Sequence, residues 1–180
     1  LMADGHPVYD TLADPKKTAD TWAIAYCWTH WRRRFVKFGQ DTASPICEEM
    51  FRRIASLYAI EKEIRGRDPV TRAAVRQTLS RPITEALRPW LEGCLQQLSS
   101  ASDLAKHIRY GLKRWDGLTR FLEDGHLEMD TNGGENSIRP IPLTMKNALV
   151  AGSDDGAETW ARIASLIGTC RLNGVDPEAY

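Results

Sequence analysis

Residues 44–66, SPICEEMFRRIASLYAIEKEIRG, set the fold class because their apolar side chains recur at the spacing of one helix face. The residues that share this spacing are Ile46, Cys47, Met50, Phe51, Ile54, Leu57 and Tyr58. Gly66 is a natural end for the helix, since glycine readily takes the left-handed conformation that closes a last turn. The stretch therefore predicts a long helix with one buried face.

The helical pattern continues to Phe121, interrupted by start signals. Asp68-Pro69 is a strong start, Pro82 is an acceptable one, and Ser102 is a plausible cap. Apolar stripes follow these signals at Ile83, Leu87, Trp90, Leu91, Cys94, Leu95 and Leu98, at Leu104, Ala105, Ile108 and Leu112, and at Trp115, Leu118, Phe121 and Leu122. The aromatic residues lie at packing spacing, which favours core positions over platforms for stacking bases.

Before this block the sequence is of mixed type. Residues 1–3 are typical of the end of a buried strand, with Asp4-Gly5 at its carboxyl end. A short helix is expected over 8–12, and alternating apolar residues predict a half-buried strand over 21–27. A further helix is expected from Thr29 to Phe38, ended by Gly39.

The helix over 29–38 is rich in basic residues. Arg32, Arg33 and Arg34 are consecutive, so they spread around the helix and cannot all face one partner. A solvated basic helix and a phosphate-contacting one are both compatible with this composition.

Past Pro142 the pattern changes again. Residues 148–151 predict a short strand. A last helix is expected from Asp154 or Asp155 to Leu172, with Gly174 as its stop. Its expected buried stripe consists of Trp160, Ile163, Ala164, Leu166, Ile167 and Cys170.

Composition excludes several classes of protein. Hydrophobic residues make up 42% of the 180, enough for a buried core. Lysine plus arginine and aspartate plus glutamate each total 24, so a nucleic-acid partner cannot be inferred from bulk charge and any basic surface must be local. Four widely spaced cysteines indicate reduced thiols in a cytoplasmic protein, and no apolar run of about 18 residues predicts a membrane span. Both ends look cut, which suggests a fragment of a longer protein.

Residues 130–140, DTNGGENSIRP, hold the main candidate for chemistry. Glu135 and Arg139 would share one face of a helix that Asp130, Thr131 or Asn132 caps and Pro140 stops. A surface ion pair and a carboxylate held in a cleft are both compatible with this spacing.

Cys27-x-x-His30 has the spacing of half a zinc site, but no second short-spaced pair of ligands exists in the sequence. We therefore do not expect zinc at this position.

A set of short blocks, in order, resembles the insertion-sequence sixty-six family of bacterial transposases, a branch of the DDE transposases. The blocks are Ala3-Asp4-Gly5, Cys27-Trp28-Thr29-His30 with 32–35, Tyr110, Trp115, Leu118, Phe121, Leu122, Asp124-Gly125, Asn132, Glu135, Ile138-Arg139-Pro140, Lys146-Asn147, 151–154 and 173–177. The resemblance covers nearly the whole chain and points to the C-terminal part of the catalytic domain.

The resemblance implies an α/β, mostly helical fold class. It implies a partial ribonuclease H-like core, with strands near 1–3, 21–27 and 148–151, and a large all-helical insertion. Residues 1–40 and 124–180 would form that core, and residues 41–123 the insertion.

The resemblance also implies Mg²⁺-dependent (or Mn²⁺-dependent) hydrolysis of DNA phosphodiesters, followed by strand transfer. Asp4 and Glu135 would be the second and third acidic residues of the triad and the metal ligands. The first acidic residue would precede Leu1, so the fragment alone is expected to be inactive.

The expected partners are DNA and further copies of the full-length protein. Arg139, Lys146 and Arg33 are candidates for contacts to DNA phosphates, while Asn132 would orient Glu135 or cap its helix. Two alternatives stay open: a non-catalytic helical interaction module, and another nuclease on a ribonuclease H-like core.

Overall fold

The computed structural model describes residues 1–12, 14, 16, 22–133, 136, 139 and 153–179. The chain divides into two compact units, Leu1–Thr131 and Asn132–Tyr180. In the described part most residues are helical, and a parallel pair of strands accompanies them. The expectation of a mostly helical chain with some sheet is confirmed. The strand expected over 148–151 lies outside the described residues.

The bounds of the elements are as follows. In the first unit they are β1, Met2–Ala3; α1, Pro7–Asp10; β2, Ala25–Tyr26; α2, Trp28–Asp41; α3, Pro45–Ile64; α4, Pro69–Val75; a π-turn, Arg76–Ser80; α5, Arg81–Gln97; α6, Asp103–Lys113; α7, Trp115–Thr119; and a 3₁₀ turn, Arg120–Leu122. In the second unit α8 spans Asp154–Leu172.

Strands β1 and β2 are parallel, with Met2 opposite Ala25 and Ala3 opposite Tyr26. The backbone N–H of Cys27 donates to the carbonyl of Ala3 over 3.1 Å. The strand expected over 21–27 is thus shorter in the described residues, where β2 comprises only Ala25–Tyr26. Its length is set by β1, which pairs with it through two residues. Trp22, one of the alternating apolar residues of the expected strand, is 51% exposed and lies outside β2.

Helix α2 runs through Gly39, which was expected to end it. A glycine inside a helix costs about 1 kcal/mol relative to alanine. Here the glycine lies against α3, where an added Cβ would be 3.7 Å from Cys47 and 3.8 Å from Phe51. The packing of α2 on α3 therefore outweighs the local preference of glycine.

An aromatic cluster forms the centre of the first unit. Trp28 and Trp31, one turn apart on α2, are both 0% exposed, and their ring centres are 5.4 Å apart. Trp115 contacts both, at 6.4 Å and 6.2 Å, and Phe121 contacts Trp28 at 6.3 Å. The expectation that Trp115 and Phe121 are core residues is confirmed.

The helix boundaries that rest on capping residues are confirmed. The Asp68 carboxylate accepts from the Thr71 N–H at 2.9 Å and starts α4. Ser102 caps α6 through the Ala105 N–H. Gly66, just past α3, has φ +78°.

Pro82 lies in the first turn of α5, as expected of a helix start, but α5 is continuous with the helix before it. Residues 69–97 form a helical stretch in which α4 passes through the π-turn into α5. Proline lacks an N–H and its ring crowds the carbonyl of the residue four before it, here Thr78. The wider π spacing, in which the Arg81 N–H donates to the Arg76 carbonyl, accommodates the proline without ending the helix.

The π-turn also begins with a buried cation. Arg76 is 0% exposed, and its Nε and Nη2 each donate to Glu61 of α3 over 2.7 Å. Its Nη1 donates to the carbonyls of Phe121 and Asp124, at 2.9 Å and 3.2 Å. One guanidinium thus joins α3 to the chain after α7.

Gly125 lies directly against the start of α4. A Cβ at this position would be 1.8 Å from the carbonyl oxygen of Pro69, so no side chain fits. The backbone of the 121–129 segment therefore packs on the backbone of α4.

Helix α8 differs from expectation along its apolar stripe. Ser153 caps it through the Gly156 N–H, and Gly174 follows with φ +68°, as expected. The stripe, however, is largely open: Trp160 is 38%, Ile163 52% and Leu166 54% exposed. Periodicity identifies an apolar face but not whether another element covers it.

Two general expectations can be compared with the described residues. All four cysteines are free and buried. None of the described helices is both long and apolar enough to cross a membrane.

Gly125→Ala is expected to destabilise the first unit by about 1–3 kcal/mol, because the methyl group must displace the Pro69 backbone. Gly93→Ala, inside α5 with nothing within 4 Å of the added Cβ, is the matched control. It should stabilise by about 0.5–1 kcal/mol. Urea unfolding of both variants checks this, and equal effects would contradict the close approach.

Arg76→Met should destabilise by about 3–5 kcal/mol, because it leaves the buried Glu61 carboxylate without its bidentate partner. The control is Arg88→Met, which removes only a half-exposed ion pair with Glu92 and should change stability by under about 0.5 kcal/mol. Similar losses for both in denaturant unfolding would contradict a structural role for the Arg76 pair.

Candidate functional site

Asp4 lies where the sequence placed it, directly after β1. The side chain is exposed. Its Oδ1 accepts a 2.9 Å hydrogen bond from the His6 N–H, and its Oδ2 has no hydrogen bond within the described residues. Gly5 follows with φ +83°, a conformation that L side chains rarely adopt. One carboxylate oxygen is thus fixed by the turn and the other is available to a ligand.

Helix α6 holds this turn from the other side. The Tyr110 hydroxyl donates to the Asp4 carbonyl over 3.2 Å, and Arg114 Nη2 lies 3.5 Å from the Gly5 carbonyl. A Cβ on Gly5 would be 2.0 Å from the Tyr110 hydroxyl. Glycine at position 5 is therefore required both for the turn and for the approach of α6.

Guanidinium groups and aromatic rings meet beside the turn. The guanidinium carbon of Arg34 is 3.8 Å, and that of Arg114 4.2 Å, from the centre of the Tyr110 ring. Arg32 instead lies over Phe51 of α3, and Arg33 is exposed. The consecutive arginines thus point to different surroundings, as their helical spacing requires.

Cys27, directly after β2, contacts Thr131, the last residue of the first unit. Its Sγ accepts from both the N–H and the hydroxyl of Thr131, each at 3.3 Å. The thiol is buried and belongs to no cluster of three or more metal-binding side chains among the described residues. In the structure, Cys27 anchors the segment that leads towards Glu135.

Asp130 is held by a second set of polar contacts. Its Oδ2 accepts from the Tyr58 hydroxyl at 2.9 Å and from the Thr29 hydroxyl at 3.2 Å. The two hydroxyls are themselves 2.7 Å apart. Burial, followed by the neighbouring Asp130 charge, raises the pKa of Tyr58 above its usual range, although the Thr29 contact opposes this. Tyr58 therefore remains a neutral donor to the carboxylate at physiological pH.

The predicted site residues fall into three groups. Asp4 and Arg33 belong to the first compact unit. Asn132, a half-buried helical residue, and Arg139, which is exposed, belong to the second. Glu135 and Lys146 lie outside the described residues. The structure therefore describes Asp4, Arg33, Asn132 and Arg139, and the roles of all the predicted site residues stay predictions.

Several residues of this region were not singled out by sequence reasoning. Tyr58 was placed in the apolar stripe of α3, and Thr29 was named as a helix start and as part of a block of the family resemblance, without a partner for its side chain. A tyrosine on a buried stripe is nevertheless a signal, because its hydroxyl needs a polar partner when half buried. Nothing local identifies that partner, since Asp130 is 72 positions away.

Tyr58→Phe should destabilise the first unit by about 1–2 kcal/mol, because it removes a donor to Asp130 and leaves Thr29 with one partner fewer. Tyr9→Phe is the matched control, since the Tyr9 side chain has no hydrogen bond among the described residues. Thermal unfolding at pH 7 measures both changes. Equal stability of Tyr58→Phe and wild type would contradict the role of this contact.

The chain is similar to uncharacterized proteins of Sinorhizobium fredii (strain NBRC 101917 / NGR234). It is 41% identical to protein y4qI over 98% of this chain, and 40% identical to protein y4jD over all of it. Protein y4hP is 34% identical, again over the whole chain. The aligned region covers 33%, 36% and 35% of these relatives, so the chain spans about a third of their length.

No solved structure matches the chain. Residues 1–159 match the family described as Transposase IS66 family, which is most of the 180 residues and includes Asp4, Cys27, Asp130 and Glu135. On that match, the chain is a member of the IS66 family of transposases.

Proposed function

We propose that this chain is part of the catalytic domain of a DDE transposase, which hydrolyses DNA phosphodiesters and then joins the freed 3′ end to target DNA. The observation that carries the proposal is the family match together with the exposed Asp4 at the carboxyl end of a parallel strand. Ligands of open α/β sheets lie at such strand ends. The parallel pair β1–β2 would belong to a ribonuclease H-like core.

Asp4 fits a divalent cation. Its carboxylate is exposed, and its Oδ2 has no hydrogen bond within the described part of the chain. Mg²⁺ takes one or two carboxylates and keeps water or phosphate oxygens as its other ligands. The His6 N–H on Oδ1 fixes the direction of the carboxylate without occupying Oδ2.

Glu135 is proposed as the second carboxylate ligand on this chain, with Asn132 to orient it or cap its helix. When bound, Mg²⁺ or Mn²⁺ would stabilise the charge on the attacking and leaving oxygens during in-line displacement at phosphorus. Arg139, Lys146 and Arg33 would bind DNA phosphates, the arginines as bidentate forks and the lysine as a point charge.

The anchors of the 121–131 segment support a stable position for the residues that precede Glu135. Thr131 is bonded to Cys27, and Asp130 to Tyr58 and Thr29. A catalytic carboxylate has to be held close to its productive geometry by such supporting contacts. We propose the full-length protein as a homo-oligomer, since the two ends of a transposon must be brought together.

In the full-length protein, Glu135→Gln and Asp4→Asn should each abolish Mg²⁺-dependent strand transfer while the fold is retained, because each swap preserves shape and removes a ligand charge. Asp116→Asn, an exposed carboxylate on α7, is the matched control and should keep normal activity. Joining of labelled transposon-end DNA to a plasmid is the measurement. Normal strand transfer by Glu135→Gln would remove Glu135 as a ligand.

The same assay separates the alternatives. Cleavage without joining by the wild type would indicate another nuclease on the same core. If the purified, folded full-length protein neither cleaves nor joins DNA, the non-catalytic helical module is favoured. That module is the second candidate because helices predominate over 28–122.

Lys146→Ala and Arg139→Ala should each lower the slope of log affinity for DNA against log salt by about one unit, because each removes one phosphate contact. Arg88→Ala is the control, since that guanidinium pairs with Glu92 on α5. Fluorescence anisotropy over a salt series measures the slope. An unchanged slope for either test variant would exclude that residue from the DNA contact.

A further inference from the structure

Arg34 is an exposed arginine on α2 whose guanidinium group lies over the ring of Tyr110. Its guanidinium carbon lies 3.8 Å from the centre of the Tyr110 ring, which is stacking distance. Within the described part of the chain, it forms no ion pair and donates no hydrogen bond. Because guanidinium donors radiate in the plane of the group, a stacked arginine still presents a bidentate fork to an anion.

The ring that supports Arg34 is itself fixed. The Tyr110 hydroxyl donates to the Asp4 carbonyl at 3.2 Å, and Gly5 leaves no room for a side chain beneath it. Arg34 is therefore oriented relative to the Asp4-Gly5 turn before any ligand arrives. Preorganisation of this kind reduces the ordering cost of binding.

A second positive charge lies at the same ring. The guanidinium carbon of Arg114 is 4.2 Å from the ring centre of Tyr110, so the two arginines are separated by no more than about 8 Å, the Debye length at physiological salt. Salt therefore screens their repulsion only partly. Lys37, one turn after Arg34 on α2, is exposed and adds a third cation to this side of the helix.

We propose that Arg34, stacked on Tyr110 beside Asp4, is a binding site for a backbone phosphate of DNA. The fork of Arg34 would hold the phosphate, Tyr110 would hold the fork, and Arg114 would strengthen the local positive potential. The guanidinium of Arg34 is exposed and forms no ion pair among the described residues, so a phosphate of a passing strand can reach it.

The choice of DNA rests on the proposed function and deepens it. A phosphate bound by Arg34 would lie near the Asp4-Gly5 turn, because Tyr110 contacts both Arg34 and the Asp4 carbonyl. A strand that approaches a metal at Asp4 would pass this turn. An acidic polypeptide would satisfy the same cations, so the experiment has to distinguish the two sources of negative charge.

The test uses the full-length protein and a fluorescent mixed-sequence DNA duplex, with anisotropy measured over a sodium chloride series. Arg34→Ala should lower the log–log salt slope by about one unit and weaken binding about tenfold at low salt. Arg34→Lys should restore the slope, because the charge returns, but not the full affinity, because the fork is lost.

Two further variants make the test specific. Arg32→Ala is the matched control: Arg32 is also an exposed arginine of α2 over an aromatic ring, but that ring is Phe51 of α3. It should leave slope and affinity unchanged. Tyr110→Leu keeps every charge and removes the stacking surface, so it should weaken binding without changing the slope. Thermal unfolding confirms that each variant is folded.

An unchanged slope for Arg34→Ala, or an equal loss in Arg32→Ala, overturns the proposal. So does polyglutamate that displaces the duplex from wild type as effectively as unlabelled DNA does. The outcome is independent of catalysis: if Glu135→Gln abolishes strand transfer while Arg34→Ala binds DNA like wild type, the phosphate site fails and the proposed function stands. If wild type shows no DNA chemistry but Arg34→Ala loses a phosphate contact, the proposed function fails and the phosphate site stands.

Discussion

The first unit depends on the burial of two tryptophans at the start of α2. Trp28 and Trp31 are fully buried, and their indole N–H groups donate to the carbonyls of Leu118 and His107, at 2.7 Å and 2.9 Å. Burial of an aromatic side chain of this size contributes several kcal/mol when its polar group is satisfied. Because α2 directly follows β2, these contacts join the short strand pair to the helical block. A two-stranded sheet is marginal alone, so β1 and β2 depend on them.

Close approach around these rings is made possible by small residues. A Cβ on Gly111 would be 2.1 Å from the Trp31 ring, and one on Gly117 would be 2.4 Å from Tyr26. Helices α6 and α7 thus reach α2 and β2 only because glycine occupies these positions. Tyr26 of β2 and the buried face of α2 consequently belong to the same core as the helices that follow them.

Polar contacts hold the segment 121–131, which follows α7, against the helices and β2. The buried Arg76 joins α3 to the carbonyls of Phe121 and Asp124, and Arg72 pairs with Glu128 at 2.8 Å. Cys27 and Tyr58 hold the next residues, Thr131 and Asp130. The segment that leads to Glu135 is thus attached at successive points. The Tyr110 hydroxyl donates to the Asp4 carbonyl and so holds the turn that carries Asp4 against α6.

The sequence by itself determined the features whose causes are local. The helix starts at Asp68 and Ser102 follow from side chains that cap nearby N–H groups, and the positions of apolar stripes follow from helical period. The place of Asp4 at a strand end was likewise predictable, because strand and turn signals are adjacent. Only the tertiary structure decided the rest. Gly39 stays inside α2 because packing outweighs a local preference of about 1 kcal/mol, and Tyr110 meets Asp4 although 106 positions separate them. Periodicity specifies which face of an element is apolar or polar, whereas the partner of that face depends on contacts between residues far apart in the chain.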